Sequence, residues 1–350
     1  MPARSVALTS GYFDTVFAKT THGLIRGPSR FPLAGVVDPS YAGQDAGTVL
    51  DGTSRGIRFY ASVAEALHQA DPPITHCIVG VATVGGMLPD SLRSDLEYAA
   101  RAGLTLVNGL HYLLGEDRYL SGLAVAHGAR IIDIRRSKPA SALRFWSGDV
   151  LSVSALRIAV LGMDCAIGKR TTCVLLREAC RAQGVRAEMI YTGQTGWLQG
   201  VEHGFIFDAT PNDFVSGELE GAILSCYGDT GAEVILMEGQ SGLRNPAGPA
   251  GAEFILSGDA HGVILQHAPG RRYYEDLAVM SCAVPPVSEE IELIRLLGAS
   301  VWAVTLFTRG MSDSESRLAQ SMLEAELGLP VVRPLEEGVT RIADLIRARL

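Results

Sequence analysis

Residues 157–172 read RIAVLGMDCAIGKRTT, and this order of residue types predicts how the second half of the chain folds. Residues 158–161 are a short apolar run, which is typical of a strand buried on both faces. A loop that begins and ends with glycine follows, and after Lys169 the residues have helical periodicity up to Gly184, which suits a helix C-terminus. A strand, a glycine loop, a lysine and a helix in this order are typical of a phosphate-binding P-loop, in which backbone N–H groups and a helix N-terminus hold an anion.

Two features of the loop differ from the usual P-loop pattern, G-x-x-x-x-G-K-[ST]. Five residues separate the two loop glycines, and Arg170 follows the lysine where a serine or threonine is usual. That hydroxyl normally helps to hold the magnesium ion of a bound triphosphate. Thr171 or Thr172 is the alternative source of a hydroxyl, but neither occupies the expected position. The sequence therefore predicts phosphate binding, whereas hydrolysis of a nucleoside triphosphate has weaker support. The candidate phosphate-binding residues are Gly162, Cys165, Ala166, Ile167, Gly168, Lys169, Arg170, Thr171 and Thr172.

The composition fits a compact α/β enzyme of two domains. The chain has 350 residues, of which 47% are hydrophobic and 39 are glycine. A net charge of −8 and basic runs no longer than a pair argue against a nucleic-acid partner. The sequence lacks a run of about eighteen apolar residues, so a membrane partner is not expected. A cytoplasmic location is expected instead. The six cysteines include no C-x-x-C pair, which indicates reduced thiols, and no metal site is predicted.

The first half of the chain alternates strand-like and helical segments, which implies a parallel sheet with helices on both faces, as in a Rossmann-like domain. The predicted strands are 33–37, 76–81, 105–108 and 130–134, and the predicted helices are 61–70, 91–102 and 120–127. Asp38 ends the first strand, where a Rossmann domain holds a ribose hydroxyl, but no G-x-G-x-x-G precedes it. Residues 137–150 lack periodicity and are placed as the linker, which gives domains at 1–150 and 151–350.

Polar loops after these strands supply substrate-binding candidates, because open α/β sheets bind ligands beyond the carboxyl ends of their strands. His111 and Arg135 lie in two such loops, although a structural role is the competing interpretation of a lone histidine. Residues 18–26, AKTTHGLIR, are interpreted as a polar, irregular segment, in which Lys19 and Arg26 suit binding of an anion.

Polar residues also follow buried strands in the second half. Gln194 lies in the loop after one predicted strand, and Glu238 follows another, where P-loop proteins carry an acid that polarises water or orients magnesium. Asp213, Glu218 and Glu220 offer carboxylates for a metal or for base catalysis, but solvation on a helix surface is the default interpretation of the two glutamates. The predicted strands are 187–191, 232–237, 262–266 and 301–307, with a last helix at 338–349.

Several motifs together resemble the two-domain P-loop proteins called domain of unknown function family 1611. The matching segments occur in both halves and in collinear order: AKTTHGLIR (18–26), VGVATVGG (79–86), NGLH (108–111), DIR (133–135), GMDCAIGKRTT (162–172), TGQTG (192–196) and EGQ (238–240). The resemblance implies an N-terminal Rossmann-like domain joined to a P-loop domain of the dethiobiotin-synthetase kind, whose loop has the same spacing. It also implies an activity, because a characterised branch of the family is a D-glutamate N-acetyltransferase that uses acetyl-CoA.

The first function hypothesis is transfer of an acetyl group from acetyl-CoA to the amino group of a small amino acid, expected to be acidic and of D-configuration. CoA carries phosphates that need N–H groups and a cation but no hydroxyl–magnesium unit. The base that deprotonates the ammonium is then Glu238, Asp213 or Asp164. The candidates for binding the substrate carboxylate are Arg244, Arg271 and Lys19. Of the two residue types, arginine suits the bidentate geometry of a carboxylate better. The other substrate-binding candidates are Arg26, His111, Arg135, Gln194 and Gln240.

The second hypothesis is an ATP-dependent kinase or ligase that uses the same loop for a triphosphate and Mg²⁺, with Glu238 assisting the metal. A weaker third hypothesis is a nucleotide-binding module without catalysis. Each of them implies a small-molecule ligand, and a homo-oligomer is expected. Tight binding of acetyl-CoA without metal favours the first hypothesis, and ATP binding that requires Mg²⁺ favours the second.

Overall fold

The computed structural model describes residues 3–71 and 73–350. Its contacts divide the chain into two compact units, one made of the chain up to Ser137 with Gln194–Gly200, the other of Lys138–Gly193 with Val201–Leu350. This division lies at Ser137, whereas the sequence placed the boundary at residue 150. Each unit contains one six-stranded sheet whose strands pair in parallel, so the predicted α/β class is confirmed. Within the described ranges, none of the helices combines the length and the apolar character that crossing a membrane requires.

The N-terminal unit has the strand order of a Rossmann domain, β3-β2-β1-β4-β5-β6. Its strands are β1 (Ser5–Leu8), β2 (Leu33–Val37), β3 (Arg58–Tyr60), β4 (His76–Val79), β5 (Thr105–Asn108) and β6 (Ile131–Asp133). Its first five helices are α1 (Lys19–Arg26), α2 (Ala46–Asp51), α3 (Val63–Gln69), α4 (Asp90–Arg101) and α5 (Arg118–Ala126). The four predicted strands and three predicted helices of this half are confirmed, with ends shifted by at most two residues.

The interpretation of residues 18–26 as irregular is wrong, because they contain helix α1. Thr20, Thr21 and His22 are buried on this helix although they are polar. The Thr21 hydroxyl donates to the Gly80 carbonyl at 2.8 Å, and the His22 ring is hydrogen-bonded to the Phe13 carbonyl at 2.6 Å. These partners are remote in sequence, so the composition of the segment could not reveal that its polar face is buried.

The C-terminal unit has the strand order β12-β11-β10-β7-β9-β8. Its strands are β7 (Leu156–Gly162), β8 (Ala187–Ile190), β9 (Val234–Glu238), β10 (Gly262–His267), β11 (Val301–Leu306) and β12 (Val331–Val332). Its helices are α6 (Lys169–Ala182), α8 (Asn212–Thr230), α9 (Ala252–Leu256), α10 (Val287–Leu296), α11 (Asp313–Leu327) and α12 (Thr340–Arg347). The five predicted strands are confirmed, and β7 lies between β9 and β10, so the carboxyl ends of these three strands are neighbours.

The expectation that Glu218 and Glu220 are solvated on a helix surface is wrong. Both side chains lie on α8 and are buried. Glu218 accepts hydrogen bonds from the Lys138 ammonium at 2.6 Å and the Arg144 amide at 3.1 Å. Glu220 accepts from the amides of Ser147 at 2.6 Å and Val150 at 3.2 Å. These carboxylates bind the segment before β7 to the C-terminal unit, which explains why the division between the units lies at Ser137.

Residues 192–197 were predicted as a loop, but Gln194–Leu198 form a short helix, α7. Its contacts place α7 in the N-terminal unit. The Leu198 carbonyl accepts from the Arg30 amide at 2.7 Å, and the Arg30 guanidinium lies over the Trp197 ring, 4.7 Å from its centroid. Contacts with a segment that is distant in the chain thus stabilise a helix too short to be expected from its own sequence.

Candidate active site

The P-loop connects β7 to α6 in the arrangement that the sequence predicted. The Met163 amide donates to the carbonyl of Gln266 on β10 at 3.0 Å, which fixes the start of the loop. Gly168 has a φ of +96°, a left-handed conformation that favours glycine, and it directly precedes α6. Among the described residues, no side chain caps this helix. The amides of its first turn are therefore donors for an anion.

Lys169 is buried and lies across the loop. Its ammonium donates to the carbonyls of Asp164 at 2.6 Å and Ser241 at 2.8 Å. A Cβ atom at Gly162 would approach the Lys169 side chain to 2.9 Å, so glycine is required there for the lysine to occupy this path. Ser241 has a φ of +42°, and this strained backbone turns its carbonyl toward the ammonium. The loop after β9 thus helps to position the positive charge of the P-loop.

Asp164 is buried, and its carboxylate accepts four hydrogen bonds. The donors are the Cys165 amide at 2.7 Å, the Asn245 amide group at 2.9 Å, the Arg271 guanidinium at 2.5 Å and the Glu275 amide at 2.8 Å. Arg271 also donates to the Cys165 carbonyl at 2.9 Å and forms an ion pair with Glu275. The predicted base Asp164 and the predicted carboxylate ligand Arg271 therefore bind each other and fix the shape of the loop.

Glu238 ends β9, the strand next to β7, and its carboxylate is buried. It accepts a hydrogen bond from the Thr192 amide at 3.2 Å. Burial raises the pKa of Glu238, and the positive charges of Arg170 and Lys169 oppose that rise. The Thr192 hydroxyl donates to the Glu238 carbonyl at 2.6 Å and accepts from the Gln240 amide group at 2.8 Å. Thr192 thus meets Glu238 and Gln240 of the EGQ segment beside the P-loop.

Arg170 is the second residue of α6, and its charge interacts with Glu238. Its Nε atom is buried without a hydrogen-bond partner in the part of the chain that the structure describes. Burial lowers the pKa of the Arg170 guanidinium, although an arginine stays protonated at neutral pH. The Thr172 hydroxyl donates to the Gln266 side chain at 2.6 Å, and that same oxygen accepts from Thr305 at 2.7 Å. Thr172 is therefore bound in the core.

Two other candidates of the C-terminal unit lie outside this cluster of interactions. Asp213 is exposed on the first turn of α8. Arg244 donates to Glu290 on α10 at 2.6 Å and to Glu289 at 2.8 Å. The charge of Arg244 is therefore compensated by these two carboxylates of the protein. The sequence predicted that Arg244 binds the carboxylate of a substrate.

The remaining candidates lie in the N-terminal unit. Lys19 and His111 are exposed, and Arg26 pairs with Asp51 at 3.0 Å. The Arg135 guanidinium donates to the carbonyl of Gly109 and, at 2.9 Å, to the side chain of the buried residue Gln194. A cavity of about 370 Å³ is lined by His111 with Met87, Tyr112, Leu113, Glu116 and Asp117.

Sequence reasoning missed Ser241, Asn245 and Gln266 as parts of the site. Each of them is a polar residue that follows or ends a buried strand at the carboxyl edge of the sheet, a signal that the sequence contains. Across residues 3–71 and 73–350, no three His, Cys, Asp or Glu side chains group as a ligand set for a metal ion.

The fold and this site define a class, namely proteins that join a Rossmann-like domain to a P-loop domain. Family models agree with this description. The DUF1611 Rossmann-like domain matches residues 39–137, and the DUF1611 P-loop domain matches residues 144–343. The chain therefore belongs to the DUF1611 family, which confirms the resemblance found in the sequence.

Known relatives cover most of the chain. A D-glutamate N-acetyltransferase of Tritonibacter scottomollicae is 27% identical over 282 residues, which are 77% of this chain and 80% of the relative. One from a Pseudoalteromonas species is 27% identical over 277 residues, 76% of this chain and 79% of the relative. The crystal structure of a DUF1611 protein from Anabaena variabilis is similar with a TM-score of 0.88, 28% identity and coverage of 99% of both chains.

Proposed function

We propose that the protein is an N-acetyltransferase that moves the acetyl group of acetyl-CoA to the amino group of a small, acidic D-amino acid. Transfer of an acetyl group to the amino group of an acidic D-amino acid is supported by the two relatives named D-glutamate N-acetyltransferase. Support within the chain comes from the P-loop, whose lysine and first-turn amides suit the phosphates of CoA.

The observation that carries the proposal is the replacement of a hydroxyl by Arg170 beside Glu238. A kinase or ligase needs a hydroxyl at this position to help hold the magnesium ion of its triphosphate. Thr172, two residues later, has its hydroxyl bound to Gln266. Phosphates held only by amides and cations are therefore the better match, and the pyrophosphate of CoA is such a ligand.

We assign the base to Glu238. In the reaction, the acceptor nitrogen forms a bond to the thioester carbonyl carbon, the carbon–sulfur bond breaks, and CoA leaves as a thiolate. The proton of the acceptor ammonium must first go to a base. Asp164 accepts four hydrogen bonds and Asp213 is exposed. Glu238 is buried and, within the part of the chain that the structure describes, accepts one backbone amide, that of Thr192, through Oε2. A carboxylate whose pKa burial raises is also a stronger base.

An assay of thiol release from acetyl-CoA against a panel of D- and L-amino acids, without added metal, tests the proposal. We expect release that depends on a small acidic D-amino acid, with the N-acetyl product detected by mass spectrometry. Glu238→Gln should reduce the rate by about 10²-fold or more, the range of a lost general base. CoA release that does not depend on any amino acid, together with ATP turnover in Mg²⁺, would instead identify an ATP-dependent kinase or ligase.

A further inference from the structure

The residues beside the P-loop do not fit the magnesium ion that P-loop proteins commonly use. The hydroxyl that would help to hold it is replaced by Arg170, and the next buried hydroxyl, Thr172, is bound to Gln266. The acid at the end of β9, Glu238, interacts with the Arg170 charge. The other buried acid of the loop, Asp164, accepts hydrogen bonds from Arg271, Asn245 and two backbone amides.

We propose that the Arg170 guanidinium takes the place of the divalent cation at this loop, so that the site binds phosphate groups without a metal. The guanidinium adds a second positive charge next to Lys169 in the first turn of α6. This inference rests on the proposed function only in that CoA is the expected source of the phosphates. A nucleotide carries the same phosphoanhydride chemistry and is tested separately below.

The geometry supports this role in three ways. Arg170 follows Lys169 directly, so both residues lie in the first turn of α6, where the amides and the helix dipole also attract an anion. The strand that carries Glu238 pairs with the strand that precedes the loop, and Val160 is the register partner of Glu238. The buried Nε atom of Arg170 has no hydrogen-bond partner among the described residues, so one donor of this guanidinium is left unsatisfied by the protein.

The charges also favour a phosphate ligand. Lys169 and Arg170 place two positive charges at the start of α6, and Lys169 is buried, where an uncompensated charge is costly. A pyrophosphate group brings negative charge and several acceptors, and a planar guanidinium matches phosphate oxygens through two parallel hydrogen bonds. An arginine thus supplies both a positive charge and a pair of donors for phosphate oxygens, whereas a threonine hydroxyl at this position acts together with a metal ion.

Calorimetric titration with CoA and, separately, with ATP, each in EDTA and in Mg²⁺, tests the inference. The wild-type protein should bind CoA with the same dissociation constant in EDTA and in Mg²⁺. Arg170→Thr restores the usual P-loop residue, so it should lose about tenfold or more in affinity in EDTA, the range of a charge-assisted hydrogen bond, and regain part of it in Mg²⁺. Arg181→Thr removes the same charge from the exposed end of α6 and should change neither constant.

The outcomes separate this inference from the proposed acetyl transfer. Wild-type binding that requires Mg²⁺, or an Arg170→Thr variant that binds as tightly as wild type in EDTA, overturns the role of Arg170. The protein could instead bind ATP without a metal and not bind CoA, while Arg170→Thr loses affinity for ATP in EDTA and regains part of it in Mg²⁺. This result refutes the acetyl-CoA proposal and supports the inference. Binding of neither ligand overturns both.

A conservative variant covers the case in which Arg170→Thr does not fold. Arg170→Lys keeps a positive charge, so its binding should stay independent of Mg²⁺, with an affinity reduced by the loss of the guanidinium fork. A lysine variant that binds only with Mg²⁺ overturns the inference, because its retained charge would then have no effect. Circular dichroism at the titration temperature confirms that each variant is folded.

Discussion

Two buried acids lie beside the P-loop, and their surroundings differ. Asp164 lies within the loop and accepts four hydrogen bonds, two of them from Asn245 and Arg271. Glu238 lies at the end of the neighbouring strand, and its carboxylate accepts the Thr192 amide and interacts with two cations. The first acid has its acceptor capacity filled by the protein and sets the conformation of the loop. The second has fewer hydrogen bonds from the protein and can still accept a proton. Both acids are buried, so the number of hydrogen bonds that each accepts, and not its burial, distinguishes the structural acid from the candidate base.

The glutamates of α8 belong with Asp164 in this comparison. Glu220 accepts the Ser147 amide and hydroxyl and the Val150 amide, and Glu218 accepts Lys138 and the Arg144 amide. Backbone amides from the segment before β7 fill their acceptor sites. Hydrogen bonds to Ser147 and Val150 lower the pKa of Glu220, whereas burial raises the pKa of Glu238. The pKa values of Glu220 and Glu238 are thus shifted in opposite directions.

The largest effect on stability is expected from Asp164→Ala. The substitution removes one of the two carboxylates that pair with the partly buried Arg271, and it takes an acceptor from two backbone amides and from Asn245. Because each buried donor left unsatisfied costs about 1–3 kcal/mol, the free energy of unfolding should fall by about 3–5 kcal/mol. Urea unfolding followed by circular dichroism measures it. Asp213→Ala is the matched control, because its carboxylate is exposed, and it should change stability by no more than about 0.5 kcal/mol. Equal stabilities of the two variants would contradict a structural role for Asp164.

The second largest effect is expected on ligand affinity from Lys169→Ala. The ammonium lies between the carbonyls of Asp164 and Ser241, beside the amides that would hold phosphate oxygens. Loss of its charge-assisted contacts should weaken CoA binding by about 1.5–3 kcal/mol, as measured by calorimetry. Lys138→Ala removes a lysine that binds Glu218, and it should leave the affinity unchanged. Unchanged affinity in Lys169→Ala would show that the loop has only a structural role.

Much of the fold could be predicted from the sequence because local patterns specify it. The glycine loop between an apolar run and a helical pattern predicted β7, the P-loop and α6. The roles of the acids could not be predicted, because they depend on partners that are far apart in the chain. Asp164 meets Arg271 across 107 residues, and Glu220 meets Ser147 across 73. Long-range contacts also explain why α1 and α7 were not predicted: the buried hydroxyls of Thr20 on α1 and Thr195 on α7 are hydrogen-bonded to each other at 3.1 Å.

A smaller effect on stability, dependent on pH, is expected from Glu238→Gln. Burial raises the folded-state pKa of this carboxyl above the usual value of 4.5, so the folded state binds its proton more tightly than the unfolded state. The stability of wild type relative to Glu238→Gln should therefore rise as the pH falls through the folded-state pKa and level off below about 4.5. Urea unfolding of both proteins across that range gives the difference. A difference that is flat, or that falls toward acid, would show that Arg170 and Lys169 outweigh the effect of burial.

The smallest effect is expected from Cys165→Ala, although a thiol before a helix N-terminus is often reactive. The Cys165 sulfur contacts the Ser241 hydroxyl at 3.4 Å and the Asn245 amide group at 3.9 Å, and a thiol is a weak hydrogen-bond donor and acceptor. Asp164 and Arg271 hold the backbone of Cys165, so the loop keeps its shape without the thiol. Turnover and CoA affinity should therefore change by less than about threefold, which corresponds to a weak hydrogen bond.

Cys282→Ala is the control, because this thiol is also partly exposed and donates only weakly, to the Met280 carbonyl. Cys165→Ala could instead lose turnover while its CoA affinity stays intact and Cys282→Ala remains active. That result would identify Cys165 as a nucleophile that carries the acetyl group, and it would contradict direct transfer with Glu238 as the base.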